Sequence, residues 1–242
     1  KTSLLKEFKE EILPDFADKI TDEAGSIPTP DPEDPCAGGH QTENILTKAT
    51  LKTDGKIEER CKICKKVIGT KTIAKIADVK LSGNSYVYDG KTKTPSVTVK
   101  NSKGKTLAKT DYSIAYAKGR KNVGSYTVTI TLKNNYSGTV KKTFKIVPKT
   151  TSISKLTAGK KKLTVKWKKQ ATQTTGYQLQ YGTSSKFKGA KTATITKNKT
   201  VSKAISKLKA KKKYYIRVRT ILKVNGKTYY SKWSKIKSVK TK

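Results

Sequence analysis

Four side chains in the 242-residue sequence combine soft-metal chemistry with short spacing. Cys36 and His40 are four apart, and Cys61 and Cys64 form a C-x-x-C pair; together they are every cysteine and the one histidine of the chain. Thiolate sulfur and imidazole nitrogen are what tetrahedral Zn²⁺ prefers, and two short-spaced pairs can converge as four ligands. Four protein ligands leave no open position for a substrate, so the expected role of the metal is structural. A disulfide is the competing reading. Three cysteines leave one over, however, and a bridge inside C-x-x-C is a redox device rather than a staple. No βαβ pattern surrounds the motif either.

Something must bring the two pairs together. The intervening residues suit a hairpin: a strand over 45–51, a turn at Thr53-Asp54-Gly55-Lys56 and a return strand to Arg60. A domain of this size cannot hold itself by its own core, so a staple is expected.

No other constellation carries catalysis, and no catalytic residue is assigned. The only His and every Cys belong to the metal candidate, so no nucleophile–base pair remains. Fourteen of the seventeen acids lie in residues 1–60; the others are Asp78, Asp89 and Asp111. Paired carboxylates for glycoside chemistry are therefore missing from the C-terminal part. Asp89 and Asp111 each sit at a turn, where side-chain capping is expected rather than Ca²⁺ ligation. No Gly-rich phosphate loop occurs.

The formal charge is +38, nearly all of it Lys. Arg, which clamps phosphates and reads bases, stands only at positions 60, 120, 217 and 219, and no nucleic-acid motif accompanies it. Specific nucleic-acid binding is thus not expected. Dispersed Lys first suggests a solubilising surface. Lys160, Lys161, Lys162, Lys211, Lys212 and Lys213 are the candidate polyanion contacts, with anionic cell-wall polymers or sialylated and sulfated host glycans as partners. No run of 18 apolar residues would span a membrane, and a monomer is expected. The sequence contains no Met, which reads as a mature or excised fragment.

The fold reads as mainly β and elongated. Residues 1–20 are the exception. Leu5, Phe8, Ile12 and Phe16 recur at helical spacing, which predicts an amphipathic helix that Pro14 kinks or splits. That stripe is either the tail of a preceding domain or a partner-binding face. Residues 21–35 are acidic and Pro-rich, an extended linker. Residues 36–75 form the small metal-stapled domain. In 76–148, Val97 and Val99, then Tyr126, Val128, Ile130 and Leu132, then Phe144 and Ile146 alternate with polar residues. In 149–242, Leu163, Val165 and Trp167, Tyr177, Leu179 and Tyr181, and Tyr214, Ile216 and Val218 do the same. Period-two alternation between turn signals predicts two β-sandwiches in series, joined so directly at Lys149-Thr150-Thr151 that they should stack as a semi-rigid rod. Tyr229 and Tyr230 are candidate partner anchors. Trp233 suits the core as well as an interface.

Three resemblances follow from these residues. The run His40…Lys48-Ala49-Thr50…Asp54-Gly55-Lys56…Cys61-Lys-Ile-Cys64…Thr70-Lys-Thr-Ile73 resembles a zinc-ribbon-like repeat of Gram-positive bacterial surface proteins. That repeat commonly has a Cys after Lys-Ala-Thr; this chain has Leu51. Tyr88-Asp-Gly-Lys91, Asp111-Tyr112, Asn122-Val-Gly124 and Asn135-Tyr-Ser-Gly-Thr139 resemble a bacterial Ig-like module of secreted proteins of Gram-positive gut bacteria. Residues 150–242 resemble a fibronectin type III domain, through Trp167, Gly176–Tyr181, Leu208 with Tyr214, and Tyr229-Tyr-Ser-Lys-Trp-Ser234. The usual Pro-Gly of its corner loop is replaced by Ala210-Lys-Lys-Lys213. The resemblances imply a non-catalytic module of an extracellular, surface-attached or secreted bacterial protein, serving as a stalk or adhesion region. They leave two alternatives: binding of a host protein such as an immunoglobulin or matrix component, and an accessory region of a secreted hydrolase.

Overall fold

The computed structural model describes residues 35, 36 and 38–242, so the expected N-terminal helix and residues 21–34 of the linker lie outside the described residues. The described residues fall into two compact units, one running to Ile45 and resuming at Ile57–Lys71, the other Leu46–Lys56 with Thr72–Lys242. The described residues are mainly β.

Strands β1 (Thr42–Thr47), β2 (Gly55–Cys61) and β3 (Val67–Ile73) form one antechamber-sized sheet in the order β1-β2-β3. The third strand was not expected from the sequence. Its apolar residues Val67 and Ile68 are exposed, so no buried alternation announces it. The turn also differs from the expected one. It is built on Thr50, whose N–H donates to the Thr53 carbonyl at 2.9 Å and whose hydroxyl accepts from the N–H groups of Lys52 and Thr53. Gly55 belongs to the returning strand. A Cβ there would lie 2.3 Å from the Ala49 nitrogen and 2.4 Å from the Thr47 oxygen, so glycine is required by close backbone approach rather than by turn geometry.

In the second unit, segment 46–56 is fixed to the first sandwich through its backbone. Ala49 is fully buried; its N–H donates to the Asn135 carbonyl, and its own carbonyl accepts from the Ser137 N–H. Ile76 N–H donates to the Thr50 carbonyl, and Lys75 N–H to Asp54 Oδ1 at 2.7 Å.

The first sandwich packs β4 (Ile76–Leu81) and β6 (Val97–Asn101) against a four-stranded sheet. That sheet runs β5 (Ser85–Val87), β9 (Thr139–Val147), β8 (Gly124–Leu132), β7 (Tyr112–Tyr116), with β5 parallel to β9. Its core holds the expected Val97, Val99, Val128, Ile130, Leu132, Phe144 and Ile146. Phe144 is fully buried between Tyr86, met edge-on at 5.7 Å, and Tyr126 at 5.6 Å.

The second sandwich sets β10 (Ile153–Gly159), β11 (Lys162–Trp167) and β14 (Ser202–Ile205) against a sheet of β13 (Lys191–Ile195), β12 (Gly176–Gly182), β15 (Lys213–Val224) and β16 (Lys227–Tyr230). The last strand, β17 (Lys237–Lys240), pairs with the first third of β15, and β16 with its end. Leu163, Val165, Tyr177, Leu179, Ile216 and Val218 are completely buried in this core. Trp167 meets Tyr177 at 5.3 Å. The Asn225-Gly226 turn between β15 and β16 has both residues at positive φ, the geometry that twisted hairpins favour.

Candidate metal centre

The ligand atoms of Cys36, His40, Cys61 and Cys64 all lie within 4.8 Å of one another. Cys36 Sγ is 3.4 Å from Cys61 Sγ, and Cys64 Sγ is 3.5 Å from His40 Nδ1. A zinc–sulfur bond of ~2.3 Å gives a tetrahedron with edges of about 3.8 Å, so the set closes on a site of the right size. The four residues expected from spacing are therefore the four that converge, and the cluster could hold a metal ion. Cys61 ends β2, and the Ile63 N–H points at its sulfur at 3.4 Å, the amide-to-thiolate contact of a tight C-x-x-C turn. Lys65, just after the turn, adopts φ 63°.

The two buried thiols are poised differently before any metal binds. Burial pushes the Cys36 thiol up to about 12, helped by its hydrogen bonds to Cys64 and Cys61. Burial acts upward on Cys61 too, but the Cys64 and Ile63 backbone N–H groups and the His40 side chain outweigh it and bring that thiol down to about 6. The pair thus holds a thiolate against a thiol, and a cation in the centre would release the remaining proton.

The surroundings give the cluster its weight. Among the described residues of the first unit, only Cys36 and Cys61 are buried apolar side chains, while Ile45, Ile63, Val67 and Ile68 are 39–50% exposed. A cross-strand bond from Thr42 Oγ1 to Glu59 at 2.7 Å and the Arg60–Glu58 pair are surface contacts of small net worth.

The lysine candidates fall together. Lys160 and Lys161 form the β10–β11 turn and Lys162 opens β11, while Lys211 and Lys212 lie in the corner loop and Lys213 opens β15; all six are exposed. Leu208 N–H donates to the Lys161 carbonyl at 3.0 Å, which ties turn to corner. Tyr214 Oη accepts from the Lys209 N–H at 3.1 Å, the hydrogen bond that closes a tyrosine corner. The corner survives without Pro-Gly, but Lys207 and Lys211 take φ of 57° and 51°, and Lys161 in the neighbouring turn takes 48°. Each of these left-handed lysines costs about 1–2 kcal/mol that glycine would not.

Leu5, Phe8, Ile12 and Phe16 lie outside the described residues. Tyr229 and Tyr230 separate. Tyr229 is half-buried and packs, with Leu222, against the core of the first sandwich. Tyr230 stacks under Arg219, its ring centroid 3.9 Å from the guanidinium carbon. Trp233 lies between Arg219 at 4.3 Å and Arg217 at 4.6 Å, and Phe187 covers Arg217 at 4.1 Å. Gln180 and Gln178 accept from the two arginine Nε atoms at 2.8 Å. This ladder was missed in the sequence. Its signal is the i, i+2 spacing of Arg217 and Arg219 opposite Gln180 and Gln178. Asp89 caps its turn as expected, accepting from the Lys91 N–H at 2.8 Å. Lys93 and that N–H hold its carboxyl below the ordinary value. Asp111 instead accepts from Asn134 of the neighbouring turn at 3.1 Å.

The two-sheet antiparallel sandwich with its buried Trp and tyrosine corner defines an immunoglobulin-like class of β-domain. Residues 147–237 match the family model of the Fibronectin type III domain. No curated protein sequence matches the chain. Among solved structures it is similar to the FN1–FN3 domains of chicken CNTN1, at 14% identity over 78% of this chain and 77% of that chain, with a TM-score of 0.36. It is similar also to a two-domain fibronectin type III segment of chicken tenascin, at 14% identity over 83% and 100%, TM-score 0.35. A structure titled "Myokine structure" aligns at 17% identity over 38% and 90%, TM-score 0.30. Among the described residues no helix is long and apolar enough to cross a membrane.

Proposed function

We propose that this chain is a non-catalytic extracellular module of a surface-attached or secreted bacterial protein, in which the paired sandwiches act as a firm spacer and a zinc-stapled ribbon precedes them. The observation that carries the spacer reading is the joint between the sandwiches. The linking Lys149 carbonyl accepts from Thr220 Oγ1, Gln173 Oε1 accepts from the Val123 N–H at 3.0 Å, and Tyr229 and Leu222 of the second sandwich pack on the core of the first. A link whose own carbonyl is bonded within the next domain has little freedom to swivel. Such a pair holds whatever it carries at a fixed spacing, which is what a stalk or adhesion region needs. ¹⁵N relaxation on the intact chain tests this: one rotational correlation time for both sandwiches is expected, and two distinct times overturn it.

The metal is zinc in a closed, structural site formed by Cys36, His40, Cys61 and Cys64. The donor set supports this, since three soft sulfurs with one imidazole suit zinc and leave no vacancy for a substrate. Elemental analysis should find one zinc per chain. Less than about half an equivalent in protein kept reduced and metal-replete defeats the assignment.

A further inference from the structure

We propose that one face of the β1-β2-β3 sheet is the docking surface for the chain's own N-terminal segment, seated through Leu5, Phe8, Ile12 and Phe16. The cross-strand contacts fix which face. Thr42 Oγ1 donates to Glu59 on the neighbouring strand, and a Cβ at Gly69 would meet the Glu59 carboxylate at 3.4 Å. Thr42, Glu59 and Gly69 therefore share one face. Alternation places Ile45, Glu58, Arg60 and Ile68 together on the other.

That second face has the make-up of an inner layer. Ile45 and Ile68 stand on the two outer strands, 39% and 44% exposed. On the central strand between them, the Glu58 side chain is 13% exposed. Arg60, paired with it at 3.1 Å, buries its Nε without a hydrogen-bond partner. An apolar sheet face calls for a second layer, and a buried N–H calls for an acceptor. The described residues of the first unit contain no helix or strand besides these three strands. Of the ten exposed large hydrophobics among the described residues, six lie from Ile45 to Ile68, so the uncovered apolar surface gathers in the ribbon.

Pattern, charge and reach select the occupant. Leu5, Phe8, Ile12 and Phe16 recur three and four apart, which makes one apolar stripe, and Glu7, Glu11 and Asp15 beside it offer carboxylates to Arg60. Residues 1–34 carry ten acids against four lysines, whereas residues 38–75 carry nine Lys and Arg against four acids, so the two attract. The segment joins the ribbon directly at Pro35-Cys36, and Cys36 Sγ lies 3.4 Å from Cys61 Sγ at the end of β2. Residues 21–34 reach at most about 50 Å when extended, and a strand of six or seven residues is about 20–24 Å long, so the stripe can fold back onto the sheet. The Lys-rich sandwiches attract the same acids, but their exposed large hydrophobics, Val87, Val224, Tyr230 and Ile236, are spread over both domains and offer the stripe no single seat. Docked here, the stripe is engaged within the chain, and a host protein that takes it has to strip it from the ribbon first.

The test is NMR on the intact, zinc-replete chain with Ile methyls and Phe rings labelled. Nuclear Overhauser effects from the Ile45 and Ile68 methyls to the Phe8 and Phe16 rings are expected within one chain, unchanged on dilution. The variant F8S/I12S should lose them, shift both methyl signals and speed solvent exchange of the Arg60 Nε–H at least about tenfold, with zinc content unchanged. The control I27S, in the linker, should leave all three readouts as they were. Four results overturn the proposal: no such effects in the unsubstituted chain, effects between chains only, effects to Ile236 of the second sandwich in their place, or equal changes in the two variants. The first measurement needs no variant, so a substitution that disturbs folding leaves it standing. Absent effects with one zinc bound defeat the docking and spare the metal assignment, and effects kept in zinc-free protein do the reverse.

Discussion

Strands β2 and β3 and strands β12 and β15 hold their chains in place by opposite means. On β3, Val67 and Ile68 lie in water, and the buried apolar side chains of the described first unit are two cysteines. On β12 and β15, Tyr177, Leu179, Ile216 and Val218 are wholly out of water. A buried aliphatic or aromatic side chain contributes ~1.5–3 kcal/mol through transfer alone, so the second sandwich has a core to set against the entropy of ordering its chain. The ribbon has no such sum. In the proposed zinc form the four ligands would order it, a few strong directional bonds doing what a dozen weak contacts do elsewhere. The lesson is that two β-regions of one chain can look alike in backbone and differ completely in what denatures them.

The sharpest way to break this comparison is to remove the metal. Dialysis against a chelator should abolish hydrogen-exchange protection in residues 57–69 and leave β12 and β15 protected as before. Protection retained in the ribbon would mean that its strands hold without a metal. Next in size is Phe144→Ala in the first sandwich. Loss of a fully buried ring packed on Tyr86 and Tyr126 should cost about 3–5 kcal/mol, read as a fall of the sandwich melting temperature, with zinc content unchanged. A loss of zinc in that variant would tie the two regions' stabilities together.

Acid should separate the regions again. The Cys36 thiol sits high, so across pH 8 to 5.5 it is protonated when metal-free and must give up that proton to bind zinc. Protons therefore compete, and affinity falls as pH falls, by about tenfold per pH unit for this one proton. The fall steepens below the Cys61 value of about 6, where a second thiol is protonated in the metal-free state. Competition with a zinc indicator reads the slope; a flat response would place the metal elsewhere. Smaller still is Tyr214→Phe, which removes the hydroxyl accepting from the Lys209 N–H and should cost about 1–2 kcal/mol in denaturant unfolding. Smallest is Lys211→Gly, which relieves a left-handed lysine and should raise stability by about 0.5–1 kcal/mol after the larger unfolded-state entropy is counted. A fall instead would show that the Lys211 side chain packs.

What was legible from the sequence follows the same division. Alternation exposed the strands that bury a face, so Val97 and Val99, Phe144 and Ile146, and Leu163 to Trp167 could be placed in cores without coordinates. Spacing exposed the four residues that converge as a candidate metal site, because a chain with one His and three Cys admits a single four-residue set. Strand β3 escaped because its apolar Val67 and Ile68 are exposed and it buries a side chain only at its end, Ile73. The attachment of Ala49 to Asn135 and Ser137 escaped because it is made by main-chain atoms, which every residue carries alike. The Asp54-Gly55 pair looked like a turn, yet Gly55 serves close packing and Thr50 makes the turn. Tyr229 and Tyr230 looked like a pair, yet neighbours on a strand point to opposite faces, one to a domain joint and the other to a guanidinium.

The backbone clasp at Ala49 bears on how such modules are exchanged by recombination. A crossover placed where the sequence suggests, just ahead of Ile76, would transplant the sandwich without the segment that Asn135 and Ser137 grip. The recipient would inherit two unfilled main-chain positions at an open margin, an invitation to pair with a foreign strand. A heritable cassette for the first sandwich therefore has to begin at or before Leu46, so that Ala49 travels with Asn135 and Ser137.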